Sequence, residues 1–311
     1  FKQKTAYEIG VRLVGSEMCI RDRADISILC LPDSAAREVA AWSREYDYRL
    51  IDASTAHRVD EDWVYGLPEL SLSQRPAIAR ANYVSNPGCY ASAFILFVKP
   101  LVDEGVIESD SALAINALSG YSGGGKQLIE NWEHEKNGLL ALPYAAPYAY
   151  ERVHKHIPEM TRYSGLETAP QFLPSVGPFY SGMRVEVPLH REIFGTTWTP
   201  NRIHELYMAR YGHEKFVRVL PYRDVLPLNE ASLDPRGCNG TNRLDMHVIA
   251  NAAGHAVVVG ILDNLGKGAC GVAIQNLNIM SEIDETCGLP LTCLLYTSAA
   301  ADEGLGVDLG G

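Results

Sequence analysis

A cysteine behind a Pro-Gly pair is the first residue in this sequence placed to do chemistry. Cys89 stands in Ser85-Asn86-Pro87-Gly88-Cys89-Tyr90, and the apolar run Ala91 to Val98 follows at once. A Pro-Gly pair breaks a preceding strand, so the spacing predicts a thiol on the first turn of a helix. The positive end of a helix dipole lowers a thiol's pKa and favours the thiolate. The thiolate is the nucleophile, which reads as covalent catalysis. The other reading of the position is a small apolar residue packed at a helix start.

A nucleophilic thiol needs a base, and His154-Lys155-His156-Ile157-Pro158-Glu159 offers two imidazoles. Histidine titrates near neutral pH. His-x-His also suits a surface strand or two ligands of a metal site, but no third and fourth ligand stands at metal-site spacing. Glu159 supplies a carboxylate able to orient an imidazole.

A third cluster is Gly120-Tyr121-Ser122-Gly123-Gly124-Gly125-Lys126. Its Gly-x4-Gly-Lys spacing is that of a phosphate-binding P-loop, yet Gln127 stands where Ser or Thr would ligate magnesium. The loop amides can still face phosphate oxygens, with Lys126 as a point charge; a flexible surface turn is the plainer reading. Ser54 and Thr55 read as turn residues that satisfy their own backbone. Arg58 reads as an anion ligand or a solvated charge, Tyr121 as a ring partner or core. Asn264 is an amide donor or a helix cap.

Taken together these stretches resemble the N-acetyl-gamma-glutamyl-phosphate reductase family, in its shorter class. Asp52 to Arg58, Tyr65 to Glu69, Ser85 to Ser92, Ser119 to Lys126, His154 to Met160 and Leu262 to Ala269 carry the likeness. It runs from Ala24 to about Met280 and is specific as a set. The resemblance implies an incomplete Rossmann-type α/β dinucleotide domain joined to an α+β semialdehyde-dehydrogenase-like catalytic and dimerisation domain. It implies NADP(H), a small-molecule acyl phosphate, a Cys89 thioester, arginine biosynthesis and a homo-oligomer. It gives His156, slightly ahead of His154, the proton transfer. Lys126, Arg58 and Glu159 become substrate or phosphate ligands; Ser54, Thr55, Ser122, Gly123, Asn264 and Lys267 become cofactor neighbours. Three alternatives stay open: an enzyme of the same architecture acting on aspartyl phosphate, a cofactor-independent Cys-His hydrolase or acyltransferase, and an inactive remnant.

The ends do not share the likeness. Glu8 to Arg23 and Thr292 to Gly311 resemble translated adapter read-through, which has no place in fold reasoning. The expected organisation is therefore a non-native segment at 1–23, a partial NAD(P)-binding domain at 24–88, the catalytic and dimerisation domain at 89–262, a returning helix at 263–291 and a second non-native segment at 292–311. The family's glycine-rich phosphate turn is expected to be missing, because Gly10 and Gly15 lack the fingerprint spacing.

Ala24 to Pro32 reads as a buried strand, Ser34 to Tyr46 as a helix and Arg49 to Asp52 as a second strand. That alternation predicts a parallel sheet. After Cys89 the pattern becomes strands at Ala112 to Leu118, Met183 to Leu189 and Val217 to Val219, a helix at Asn201 to Tyr211 and a hairpin about Ala253-Gly254. This predicts an antiparallel sheet with helices on one side.

The chain has 311 residues, 47% of them hydrophobic, enough for two lobes. Acidic residues outnumber basic ones 38 to 27, giving a net charge of -11, which speaks against nucleic-acid binding. No 18-residue apolar run suggests a membrane span. Seven scattered cysteines suggest neither disulfides nor zinc, and fit a reducing cytoplasm.

Overall fold

Alternating apolar strands and amphipathic helices at the start of the chain build a parallel sheet. The computed structural model describes residues 24–292 apart from 47, 152 and 223–232; residues 1–23 and 293–311, within the segments read as non-native, lie outside the described residues. Strands β1 (Ile26–Leu29), β2 (Arg49–Asp52), β3 (Val64–Tyr65) and β4 (Tyr83–Ser85) pair in the order β1-β2-β4-β3, all parallel. Helix α1 (Asp33–Tyr46) crosses from β1 to β2, and α2 (Gln74–Arg80) precedes β4. Parallel pairing demands such crossovers, since a tight turn cannot reverse the chain twice.

Helix α3 (Cys89–Asp103) leaves the first lobe and enters the second. Every residue from Tyr90 to Val98 is buried, as expected of a helical stretch with no solvent face, and the helix reaches solvent toward its end at the Lys99–Asp103 pair. Pro100 inside it has no N–H and leaves the Leu96 carbonyl without its helical donor. The Tyr211 hydroxyl donates to that carbonyl at 2.8 Å, and Tyr207 donates to the Phe97 carbonyl at 2.7 Å.

The second lobe is a seven-stranded sheet. It contains β5 (Ala114–Gly120), β6 (Ala146–Pro147), β7 (Gln171–Gly177), β8 (Met183–Leu189), β9 (Val217–Val219), β10 (Leu244–Ala250) and β11 (Ala256–Leu262), in the order β6-β7-β5-β8-β11-β10-β9. The wholly antiparallel sheet expected from sequence is corrected: β5 runs parallel to β7 and β9 to β10. Helices α4 (Lys126–Glu133) and α5 (Ile157–Ser164) lie between β5 and β7 in the chain, which gives the parallel crossover its length. Helix α6 (Pro200–Tyr211) packs on β9 and β10. The last helix, α7 (Gly271–Met280), follows a π-helical turn at Gly266–Cys270 and packs on α2 and β2 of the first lobe. Arg49 ties this junction, donating to the carbonyls of Met280 at 2.8 Å and Ala81 at 3.0 Å.

Candidate active site

The turn that carries Cys89 is held on every side. The Asn86 amide donates to the Asp52 carbonyl at 2.8 Å, and its side chain donates to the Ala269 carbonyl at 3.0 Å. The Gly88 N–H donates to Glu159 at 3.0 Å. Gly88 has an ordinary φ of -76°, so backbone freedom does not require glycine there. Crowding does: a Cβ would stand 2.5 Å from His156 Nε2 and 2.6 Å from both Arg58 Nη1 and Glu159 Oε1.

Glu159 is the hub of this crowd. Besides Gly88 it accepts from Arg58 Nη1 at 2.7 Å and the Tyr65 hydroxyl at 2.6 Å. Arg58 Nε donates to the Asn86 carbonyl at 3.0 Å. A buried carboxylate with three donors is satisfied. Its expected partner, an imidazole, is thus replaced by an arginine, a tyrosine and the backbone just before Cys89.

The two histidines precede α5 in a turn rather than lying on a strand. The His156 N–H donates to His154 Nδ1 at 3.1 Å, which makes that nitrogen an acceptor and puts a neutral ring's proton on Nε2. His156 is 4% exposed, and its Nδ1 has no hydrogen-bond partner. Burial holds His156 well below the usual imidazole range, with Arg58 adding to the effect. Burial, then the Lys155 charge, brings His154 down to about 4. The thiol behaves oppositely to the helix-dipole expectation. Burial pushes Cys89 up to about 11, against a smaller pull from Arg58 and the Tyr90 N–H. At neutral pH the resting pair is a thiol beside uncharged imidazoles.

Cys89 opens onto a cavity of about 810 Å³. His154, Lys155, His156 and Arg58 form one wall, and Ser122, Gly123 and Asn264 another. Asn264 donates to the Ser122 hydroxyl at 3.0 Å and accepts from the Gly182 N–H at 2.7 Å, so one amide hydrogen remains for a ligand. The remaining expected residues fall elsewhere. Lys126 is 89% exposed, pairs loosely with Glu130 and does not line the cavity. Ser54 and Thr55 also lie off the wall: their hydroxyls donate to Asp52 at 2.8 Å and Asp33 at 2.5 Å. Lys267 is fully buried on Glu69. The P-loop reading fails on the same geometry, since the Tyr121 and Ser122 amides already donate to the Phe179 and Tyr180 carbonyls.

The structure adds residues that sequence reasoning passed over. Lys155 brings the cation to the wall that Lys126 does not reach; its place between the two histidines was the available signal. Tyr148 lines the cavity and donates to the Tyr90 hydroxyl at 3.1 Å, and nothing in its local sequence marks it. Gly268 packs so closely that a Cβ would stand 2.7 Å from Cys89 Cβ; its Gly-Lys-Gly setting hinted at close approach.

The cavity reaches the carboxyl ends of β1 and β2, where Ile28, Cys30 and Ala53 line it together with Leu265, Ala273 and Ile274. That crevice, outside the carboxyl ends of parallel strands, is where open α/β sheets take nucleotides. The lining there is mainly apolar, and Asn264 borders the same cavity. Among the described residues, no group of three or more His, Cys, Asp or Glu is placed to hold a metal ion, and no helix is long and apolar enough to cross a membrane.

Comparison with known proteins finds two family domains along the chain, the first beginning within the segment expected to be non-native. Residues 89–264 match the semialdehyde dehydrogenase dimerisation domain, and residues 3–79 match the semialdehyde dehydrogenase NAD-binding domain. N-acetyl-gamma-glutamyl-phosphate reductase 2 of Nostoc sp. is 43% identical over 271 residues, 85% of this chain and 84% of that protein. The enzyme of the same name from Pseudomonas putida is 40% identical, over 83% and 81%. Aspartate semialdehyde dehydrogenase II of Vibrio cholerae shares the fold, with a TM-score of 0.64 at 17% identity over 84% of this chain and 81% of that one. The chain belongs to the N-acetyl-gamma-glutamyl-phosphate reductase family.

Proposed function

We propose that the protein reduces N-acetyl-gamma-glutamyl phosphate to the 5-semialdehyde, with release of phosphate, through a thioester on Cys89. NADPH is the proposed reductant over NADH, a homo-oligomer in the cytoplasm is the proposed setting, and arginine biosynthesis is the proposed pathway. The observation that carries the reading is the position of Cys89. Its cavity is shared by the histidine wall on one side and the apolar crevice at the ends of β1 and β2 on the other.

In this mechanism Cys89 Sγ attacks the acyl carbon as the carbon–oxygen bond to phosphate breaks. His156, neutral and with a free ring nitrogen, takes the thiol proton and passes it to the departing phosphate. Concerted transfer suits a thiol at about 11, because no free thiolate need accumulate. Lys155 supplies positive charge for the phosphate. NADPH held in the apolar crevice lined by Cys30, Ala53 and Leu265 would supply the hydride that reduces the thioester. The amides at the start of α3 are donors for the oxyanion on that carbon. When the carbon–sulfur bond breaks, the oxyanion electrons re-form the aldehyde carbonyl, and Sγ leaves as a thiolate that takes a proton drawn from solvent through His156. Arg58 and Glu159 hold the turn, and Asn264 offers its remaining N–H to a carboxamide.

The test is the reverse reaction, phosphate-dependent reduction of NADP+ by N-acetylglutamate 5-semialdehyde. Turnover that vanishes without phosphate supports the reading. A wild-type protein that alkylates at Cys89 yet shows no such turnover would refute it and leave a cofactor-independent thiol enzyme.

A further inference from the structure

Lys267 has no exposed surface, and its ammonium is fully used. It donates to both oxygens of Glu69, at 2.8 and 2.9 Å, and to Gln275 Oε1 at 2.8 Å. Three protons meet three acceptors. Gln275 returns a hydrogen bond to Glu69 at 3.0 Å and gives another to Glu285 at 3.0 Å. Arg75 extends the network, donating to Glu285 at 3.0 Å and Glu214 at 2.5 Å. Arg210 donates to the Glu69 carbonyl at 3.0 Å. Residues far apart in the chain are thus clamped at one buried point.

Lys267 belongs to the π-helical turn Gly266–Cys270, and the backbone of that turn faces the candidate site. Gly268 abuts Cys89 Cβ, and the Ala269 carbonyl accepts from Asn86 in the turn before Cys89. Gly268, Ala269 and Cys270 line the cavity. One turn therefore carries an ionic anchor on one side and a cavity wall on the other. Buried ion pairs are a weak source of stability, and apolar pairs often replace them without loss. An ion pair at this point has geometry to contribute instead.

We infer that Glu69 and Lys267 are positioning residues: their ion pair fixes the Gly266–Cys270 turn against Cys89 and so sets the orientation of the acyl group carried on the sulfur. This rests on the reading of Cys89 as the nucleophile. A misplacement of about 1 Å in a reacting pair is enough to cost on the order of a hundredfold in rate.

The experiment compares Glu69→Gln/Lys267→Met, which removes both charges together, with Glu69→Asp, which keeps the charge and draws it back by one methylene. The double variant is expected to melt near the wild-type temperature while kcat falls about tenfold or more, with KM for the semialdehyde changed less than about threefold. Glu69→Asp is expected to show the same split between kcat and KM, and it covers the case in which the double variant does not fold. Wild-type kcat in a folded double variant, or in Glu69→Asp, overturns the inference. Loss of Tm with kcat intact would leave the pair a purely structural role and overturns it as well. The wild type and Cys89→Ser run beside them keep the two readings apart. An active wild type and a dead Cys89→Ser uphold the nucleophile whatever the ion-pair variants do.

Discussion

The two sides of the Gly266–Cys270 turn bury polar groups in opposite ways. On the Glu69 side every charged atom has a partner, and Lys267 and Glu69 are both fully enclosed. On the Cys89 side Arg58 and Glu159 are also paired, but the groups placed for chemistry are not: His156 Nδ1 is buried with no partner, and the thiol sits at about 11. Burial alone raises a carboxyl, yet Lys267 and Gln275 outweigh it and hold Glu69 below its ordinary value. Burial raises the Cys89 thiol and lowers the imidazoles with nothing comparable to oppose it. The difference separates holding from reacting. Paired charges lock a structure, whereas neutral, under-partnered groups are tolerable in the interior because they carry no charge, and they are free to exchange a proton.

Removing the nucleophile breaks the comparison most severely. Cys89→Ser is expected to lose at least ~10³-fold in kcat, about 4 kcal/mol of barrier; near-normal turnover in steady-state assays would end the thioester mechanism. His156→Asn should cost ~10²–10⁴-fold, the usual worth of a positioned general base, with His154→Asn milder because His154 acts by holding the loop through the His156 N–H. Equal losses in the two variants would reverse that assignment. On the paired side the large effect falls on stability. Lys267→Met leaves Glu69 buried without its cation and should cost about 3–5 kcal/mol, read as a lowered denaturation midpoint.

The neutral side should also be sensitive to acid. Folded His154 and His156 resist protonation, while their unfolded counterparts charge near 6.5. As pH falls below about 6.5 the unfolded chain binds protons that the folded chain refuses, so stability declines toward pH 4. Urea midpoints at pH 7.5 and 5.5 should show that loss, and His156→Asn should lessen it. The thiol responds in the other direction. Alkylation of Cys89 should be slow at pH 7.5 and rise about tenfold per pH unit toward 11 as the thiolate fraction grows. A plateau below pH 8 would mean that a low-pKa thiolate exists after all.

How much of this the sequence disclosed follows from how local each signal is. The Cys89 turn and α3 were legible because Pro-Gly and an apolar run lie side by side. The first lobe's parallel strands were legible from their alternation with helices. The parallel pairing of β5 with β7 was not, since it depends on where α4 and α5 carry the chain. Pro158, at the start of α5, was an available sign that the histidines lead into a helix. The family resemblance makes Lys267 a cofactor neighbour, whereas its partner Glu69 lies 198 residues away, a contact no local pattern announces. The thiol's direction of shift was misjudged for a similar reason: the helix N-terminus is visible in sequence, but the enclosure that overrides it is tertiary.

The smallest expected effect sharpens the comparison at its charged rim. Lys126 and Lys155 both occupy motifs that suit an anion, yet only Lys155 borders the cavity, while Lys126 stands 89% exposed beside Glu130. An exposed i,i+4 pair of this kind contributes about 0.3–0.5 kcal/mol at most. Lys126→Ala should therefore leave both kcat and the Km for phosphate within about twofold in the reverse assay, since a solvated charge at a distance is screened. Lys155→Ala should raise the Km for phosphate by about tenfold, because charge-assisted contacts to an anion are worth roughly 1.5–3 kcal/mol. If the two results came out exchanged, the glycine loop rather than the histidine segment would bind the phosphate, and the wall now given to His154, Lys155 and His156 would be left with proton transfer alone.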